Sequence, residues 1–537
     1  MEGDKLARLV EHLQSPTAYP HPVADIQVIE THISYILLTG DYAYKLKKPV
    51  DLGFLDFSTL EKRHHFCEEE LRLNRRLAPE LYLDVVGIHG DPEAPVIGGE
   101  GPLLEYAVKM RQFPAEARMD RVTERGELTP QQIDQIARSI AEFHQRVAKT
   151  PLDNGFGSAD MIRHQVFQNF DQIHARVQET PVEEQCARLR TWTECTFAAH
   201  EEEFEQRRRE GWVRECHGDL HLANMALLDG KVTFFDCLEF SPELRWIDTI
   251  SEIAFLYMDL DYRQQTGFAR RFLNQYLIWS NDYMGLSLLR FYLVYRAMVR
   301  AKVNAIAMEQ HRGEPRLAAD YETTLKHYLA LAERYTEEHD SPPIVMLHGC
   351  AGVGKSWLAE RLVEALGAVQ IRSDIERKRL LGLPPDATTR TRGFGVGPYA
   401  PDSTTRTYQR LQALAYSIVD AGLPAIVDAT FLKKEYRTPF LWLARTARLP
   451  VVILSLHARP ETMRERIRKR AAEGGDPSEA TLEILERQLE LVEPITDSEM
   501  PFTIEVDTEQ PIDVTALAHR ILSAKRVPDI AAAPLRA

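Results

Sequence analysis

Cysteine is scarce in this chain, at 6 of 537 residues, and no two cysteines form a C-x-x-C pair. That excludes a disulfide framework and the common zinc ribbons, and reduced thiols fit a cytosolic, cytoplasmic protein. Long apolar runs are missing as well. No stretch approaches the ~20 consecutive apolar residues of a membrane-spanning helix, and the opening MEGDKLARLVEHL has no apolar core, so neither a span nor an export signal is expected. Positive charge is in deficit: 80 acidic against 65 basic residues leave a net charge of -15. That argues against a general nucleic-acid binder, while a local basic cleft for phosphate ligands stays compatible with the acidic average. No internal repeat is found.

With 44% hydrophobic and 27% charged residues the composition is that of an ordinary globular protein. The length exceeds what one core serves, which implies two or three domains. Residues 27–50 alternate like strands around Thr39-Gly40-Asp41 and predict a hairpin. The segment STLEKRHHFCEEELRLNRRLAPELY follows, with Ser58 or Thr59 as N-cap and apolar residues at helical spacing through Phe66, Leu73 and Leu77. Strand, strand, helix is the order of a small nucleotide-binding lobe. A charged helical stretch then runs from 130 to about 210, and more helix follows up to the break at Ser341-Pro342-Pro343. Beyond it strands and helices alternate (IVMLH, AVQIRSD, AIVDAT, VVILSLHA, FTIEVDT), the pattern of a parallel sheet covered by helices. The expected division is 1–338, 339–525 and a tail at 526–537.

Phosphoryl transfer needs a group near the acceptor hydroxyl, metal ligands on the phosphates and positive charge to offset theirs. In HGDLHLAN, residues 217–224, Asp219 would take the hydroxyl proton and Asn224, five residues on, would ligate magnesium. Asp236, in FFDCLEF, would be the second metal ligand. Upstream, Lys45 of the hairpin would reach the alpha and beta phosphates, with Lys47 on the same strand face as its rival. Glu69, which shares a helix face with Leu73 and Leu77, is the favoured partner for that lysine, with Glu70 as the alternative. No G-x-G-x-x-G covers the phosphates. Thr31 and Ser34, at the hairpin entry, would have to supply those contacts.

HGDLHLAN followed by FFDCLEF resembles the aminoglycoside phosphotransferase and choline kinase branch of the protein-kinase-like fold, over roughly residues 25–310. The resemblance implies a bilobal α+β kinase-like domain using ATP and Mg2+. Asp248 resembles the family aspartate that buttresses the catalytic loop, and an acid at a helix N-terminus is the competing reading. Arg296 and Arg300, four apart on one helix face, suit either an anionic acceptor or structural pairing.

GCAGVGKS, residues 349–356, matches the Walker A pattern G-x-x-x-x-G-K-[ST] between an apolar strand and a helical run. Gly349, Gly352 and Gly354 would let backbone amides approach phosphate, Lys355 would span the beta and gamma phosphates, and Ser356 would ligate magnesium. Asp374, in IRSD, is the expected base, with helix capping as its competing role. Asp428, ending AIVDAT, suits a metal contact, and Arg466 and Arg470 would act as lid arginines. The glycine-spaced GFGVGPYAPDSTTR would close over the acceptor. With RSD and VDAT, this half resembles the P-loop kinases grouped with polynucleotide kinase, gluconate kinase and zeta toxin, over about 344–525.

The joined order resembles bacterial proteins described as an aminoglycoside phosphotransferase fused to an ATP-binding protein. It implies a tandem ATP-dependent phosphotransferase acting on small-molecule hydroxyls, without a membrane partner. Two alternatives stay open: one half senses nucleotide to regulate the other, or the second half is an RNA-end or toxin-type kinase.

Overall fold

The computed structural model describes residues 2–51, 53, 55–337, 341–387, 401–473, 481–524 and 526. The chain forms two compact units. The first comprises Met1–Ile136, Phe143–Asp259 and Tyr295–Ala330, and the second Ala137–Glu142, Leu260–Val294 and Leu331–Ala537.

The first unit holds a six-stranded antiparallel sheet and a helix laid on it. Its strands are β1 (Gln27–Glu30), β2 (Ser34–Leu38), β3 (Tyr42–Lys47), β4 (Tyr82–Asp91), β5 (Ala94–Ile97) and β6 (Leu103–Arg111), with helix α1 (Leu60–Asn74) between β3 and β4. Their order across the sheet is β1-β2-β3-β6-β4-β5. The expected hairpin forms, with Thr39 N donating to Tyr42 O at 2.9 Å. Period-two alternation sorts the β3 side chains. Tyr44 and Leu46 enter a core with Leu9, Leu13, Leu37 and Ile88, each worth about 1.5–3 kcal/mol on full burial. Lys45 and Lys47 point to the opposite face.

Later in the chain come the hairpin β7 (Met225–Leu228) and β8 (Lys231–Phe234), then helices α2 (Thr249–Tyr262), α3 (Thr266–Ser280) and α4 (Leu286–Gln310). The kinase-like order expected of the first half is therefore present.

The second unit is built on a parallel sheet of β9 (Ile344–His348), β10 (Val369–Arg372), β11 (Ala425–Asp428), β12 (Val451–His457) and β13 (Thr503–Asp507), in the order β10-β11-β9-β12-β13. Helices α5 (Lys355–Leu366), α6 (Ser373–Leu380) and α7 (Pro460–Glu473) belong to it. Strands buried on both faces read as apolar runs, which is why IVMLH and VVILSLH carry little alternation. Val345, Leu347, Leu358, Leu362, Ile426 and Leu454 form the core beside the P-loop. Within this unit α3 packs on α5 and on β10. Residues 393–400 of the glycine-spaced stretch expected to close over the acceptor lie outside the described residues, as do 388–392, 474–480 and 527–537.

Candidate active sites

In the first unit β3 presents Lys45 to two carboxylates. Its Nζ donates to Glu70 Oε1 at 2.8 Å and to Asp236 Oδ1 at 2.6 Å. Lys47, fully buried, donates to Glu70 Oε2 at 2.7 Å and also to Glu239. Burial works against both ammonium charges, but the surrounding carboxylates hold them above the usual lysine range. Glu70, not Glu69, is thus the glutamate on the lysine. Glu69 instead binds Arg72, at 2.9 Å, and Arg245.

The reason lies in the helix end. The favoured face ran through Leu73 to Leu77, but α1 stops at Asn74, and the side that meets the sheet carries Arg63, Cys67, Glu70 and Asn74. Glu69 is about 100° away from it around the helix. Two lysines here face three carboxylates, and Asp236 is the one open to solvent, with its side chain 43% exposed. Oxygen donors with excess negative charge fit a hard divalent cation.

Asp219 and Asn224 come together as their spacing implied. Asn224 Nδ2 donates to Asp219 Oδ2 at 2.8 Å and to Asp219 O at 3.0 Å, so the amide oxygen of Asn224 is the atom suited to ligate a cation. Burial would raise the Asp219 carboxyl, but His221, Arg300 and His217 together pull it well below the usual carboxylate range. It is therefore ionised and able to accept a proton. Backbone bonds join this loop to the segment after β8 that bears Asp236: Phe235 N donates to Asn224 O at 3.0 Å, and Leu238 N to His217 O at 2.9 Å. Asp236 takes a left-handed φ of 63°, a conformation an aspartate tolerates and one that often marks functional loops. Gly218 is required, since at φ 88° an added Cβ would stand 3.1 Å from Leu244 O.

The buttress of this loop is not Asp248. That residue forms a two-pronged ion pair with Arg207, at 2.7 and 2.9 Å, and accepts from Ile250 N at 2.8 Å, the helix-terminal role. Glu252, one turn into α2, takes His217 N at 2.7 Å and Gly218 N at 2.8 Å, and Asp259 takes Leu222 N at 2.9 Å. Sequence reasoning missed both acids, although their spacing of seven on one helix face was a usable signal. Arg296 is spent on Ser251, at 3.0 Å to the carbonyl and 3.2 Å to the hydroxyl. At the hairpin entry Thr31 and Ser34 bond each other: Thr31 Oγ1 accepts from Ser34 N at 2.9 Å. Ser34 Oγ is buried without a hydrogen-bond partner, while Thr31 Oγ1 also donates to Ser34 O at 3.1 Å.

In the second unit the P-loop joins β9 to α5. Gly352 sits at φ 76°, where a Cβ would lie 2.6 Å from Met463 O, so backbone packing demands glycine. Gly349 and Gly354 also hold positive φ. Lys355 Nζ donates to Gly349 O at 2.9 Å and Cys350 O at 2.8 Å, folded over its own loop. Ser356 Oγ donates to Asp428 Oδ2 at 2.8 Å. Asp374 lies in the first turn of α6 and accepts from Arg377 at 2.9 Å. The N-cap position belongs to Arg372, so Asp374 is not the cap. Lys355, Ser356, Asp374, Asp428, Arg466 and Arg470 all line one cavity of about 440 Å³.

Arg466 departs from the expected lid role. It clasps the P-loop, donating to Val353 O at 3.1 Å and Thr508 Oγ1 at 2.9 Å. It therefore shapes the phosphate loop with the same donors a lid arginine would aim at phosphate.

His348 ends β9 at the P-loop. Burial, then the nearby positive charges of Arg437 and Lys355, push its imidazole down to about 4. Because the folded value is depressed below the ordinary 6.5, the contribution to stability is complete above pH 6.5 and disappears as pH falls through 4. Over that window wild type should lose up to about 3 kcal/mol of unfolding free energy more than His348→Gln, at about 1.4 kcal/mol per pH unit. Urea unfolding at a series of pH values checks this, and parallel curves for the two proteins would contradict it.

Residues 54–289 match the Phosphotransferase enzyme family, and residues 344–495 match an AAA domain family. The chain is 32% identical over 474 residues to the uncharacterized protein Rv2004c of Mycobacterium tuberculosis, covering 87% of this chain and 91% of that one. Among solved structures, it is similar to an amicoumacin kinase in complex with AMP-PNP, Ca2+ and Ami (13% identity, TM-score 0.40, 62% of this chain and 96% of that one). It is also similar to a gluconokinase from Sinorhizobium meliloti (23% identity, TM-score 0.25, 34% of this chain and 93% of that one).

Proposed function

Since this chain belongs to one family with the mycobacterial protein and is a phosphotransferase by its matched domains, we propose that it works as a tandem kinase. Each half transfers the gamma phosphate of ATP to a hydroxyl of its own small-molecule acceptor. The halves are taken as 1–338 and 339–525, followed by the tail 526–537. The observation that carries this reading is that both motif pairs close in space. Asn224 meets Asp219 at 2.8 Å on a loop bonded to the Asp236 segment, and Ser356 meets Asp428 at 2.8 Å beside Lys355.

In the first half the acceptor hydroxyl gives its proton to Asp219 as its oxygen bonds the gamma phosphorus, and the bond to the bridging oxygen breaks to release ADP. Lys45, held by Glu70, offsets charge on the alpha and beta phosphates. In the second half Asp374 takes the proton, Lys355 spans the beta and gamma phosphates over the glycines at 349, 352 and 354, and Arg470 faces the same cavity. Asn224 with Asp236, and Ser356 with Asp428, would hold Mg2+, which when bound offsets charge on phosphate oxygens. Six free cysteines agree with a cytoplasmic location. Among the described residues no helix is long and apolar enough to cross a membrane.

The test is a screen of cell metabolites with intact protein and labelled ATP, repeated with Asp219→Ala and Asp374→Ala. Two labelled products are expected, one lost in each variant. A single product lost in Asp219→Ala and also in Lys355→Ala, with none dependent on Asp374, would instead make the second half a nucleotide-sensing regulator. Label on RNA ends would make it an RNA kinase.

A further inference from the structure

Asp428 is oriented in part by a residue that lies outside every nucleotide motif, Gln370. Its Oδ2 accepts from Ser356 Oγ at 2.8 Å and from Gln370 Nε2 at 2.9 Å, with the Arg372 Nε at 3.7 Å. Among the described residues no hydrogen bond reaches Oδ1. Two short donors on one oxygen fix the rotation of the carboxylate and leave the other oxygen as ligand. Register explains how Gln370 gets there. It pairs with Ile426 and Arg372 with Asp428, so Gln370 and Asp428 share one face of the parallel sheet, one step apart.

Gln370 is itself held. Strand β10 is the edge of the sheet, where an outward N–H has no strand to pair with and, when buried, needs another acceptor. The Gln370 N–H donates to Asn274 Oδ1 of α3 at 2.8 Å. Both residues are almost closed to solvent, at 2% and 3% exposure, so neither can turn to water instead. Helix α3 is fixed in turn on α5, where Arg270 donates to the carbonyls of Glu364 at 2.8 Å and Ala365 at 2.9 Å. That is a cation at a helix C-terminus, the favourable end. Arg271 pairs with Glu364 at 3.1 Å. One helix thus fixes both the helix that starts at the P-loop and the edge residue that grips Asp428.

We propose that Gln370, held by Asn274, is a positioning residue that sets the affinity of Asp428 for a divalent cation. The proposal rests on the reading of Asp428 as a metal ligand. Its test uses the full chain carrying Asp236→Ala, which removes a metal ligand from the first half, and reads Mn2+ binding in the presence of ADP by electron paramagnetic resonance. Gln370→Met keeps the volume and deletes the donor. It should weaken Mn2+ binding by about ten-fold or more, the usual effect of losing a hydrogen bond to a metal ligand. ADP affinity measured in EDTA should stay at the parent value, which a general loss of structure would not allow.

Asp428→Asn separates the two ideas. If it leaves Mn2+ affinity unchanged, the metal reading fails. If it abolishes binding while Gln370→Met stays within two-fold of the parent, the positioning role fails and the metal reading stands. Should Gln370→Met not fold, Asn274→Ala carries the same comparison, with a loss in the same direction expected and parental affinity overturning the proposal.

Discussion

Glu70→Gln is expected to destabilise the first unit by about 3–5 kcal/mol, because removing one partner from a buried ion network strands the charges left behind. Lys47 has no exposed surface to retreat to, and Glu70 bridges it to Lys45. Glu69→Gln, at a partly exposed glutamate paired with Arg72, should cost about 1 kcal/mol or less. Denaturant unfolding of the two variants makes the comparison, and binding of a fluorescent ATP analogue in a Lys355→Met background reads the first nucleotide site. Equal stability losses in the two variants, or nucleotide binding weakened by Glu69→Gln alone, would return the lysine partner to Glu69.

Asp219→Asn is the second large effect. An amide cannot take the acceptor proton, so transfer to the product assigned to the first half should fall by about 10²–10⁴-fold, the range for a general base. Nucleotide binding should hold within about two-fold, since Lys45, Glu70 and Asp236 are untouched. Single-turnover transfer of the labelled gamma phosphate separates the two quantities. A rate within ten-fold of wild type would remove Asp219 from the proton transfer.

Both predictions start from residues whose legibility in sequence differs. Asp219, Asn224, Lys355 and Ser356 belong to short spacings that one loop and one turn of backbone suffice to realise. Lys45 was legible because a strand after a tight turn alternates its faces, which put Lys45 and Lys47 together and left only their partner undecided. The choice between Glu69 and Glu70 depended on where α1 ends and which of its sides meets the sheet. Periodicity carried past Asn74 pointed to the wrong side.

Arg466 shows the same limit in the second unit. Its spacing to Arg470 put both on one helix face, and the structure shows both lining one cavity. Only packing decided that the Arg466 donors close on Val353 O and Thr508. Asp248 was likewise a sound acid in the right stretch, yet Arg207, 41 residues upstream, claims it. Glu252 and Asp259 took the loop amides because α2 turns their common side toward that loop.

What the sequence determined by itself was local: two phosphate-handling motifs, a kinase-like order of strands and helix ahead of an alternating α/β pattern, and the residues available to each chemistry. Spacing along a chain dictates these because hydrogen bonds within a loop, a turn or a strand pair reach only a few residues. Tertiary structure decided the partners. It chose Glu70 over Glu69, turned Asp248 into a helix-terminal acid, and drew residues 260–294 into the compact unit of the P-loop. It also set Asn274 and Gln370 behind Asp428. Burial enforces such choices: a charge or an N–H removed from water must find a counterpart within hydrogen-bond reach. That counterpart can stand anywhere in the sequence.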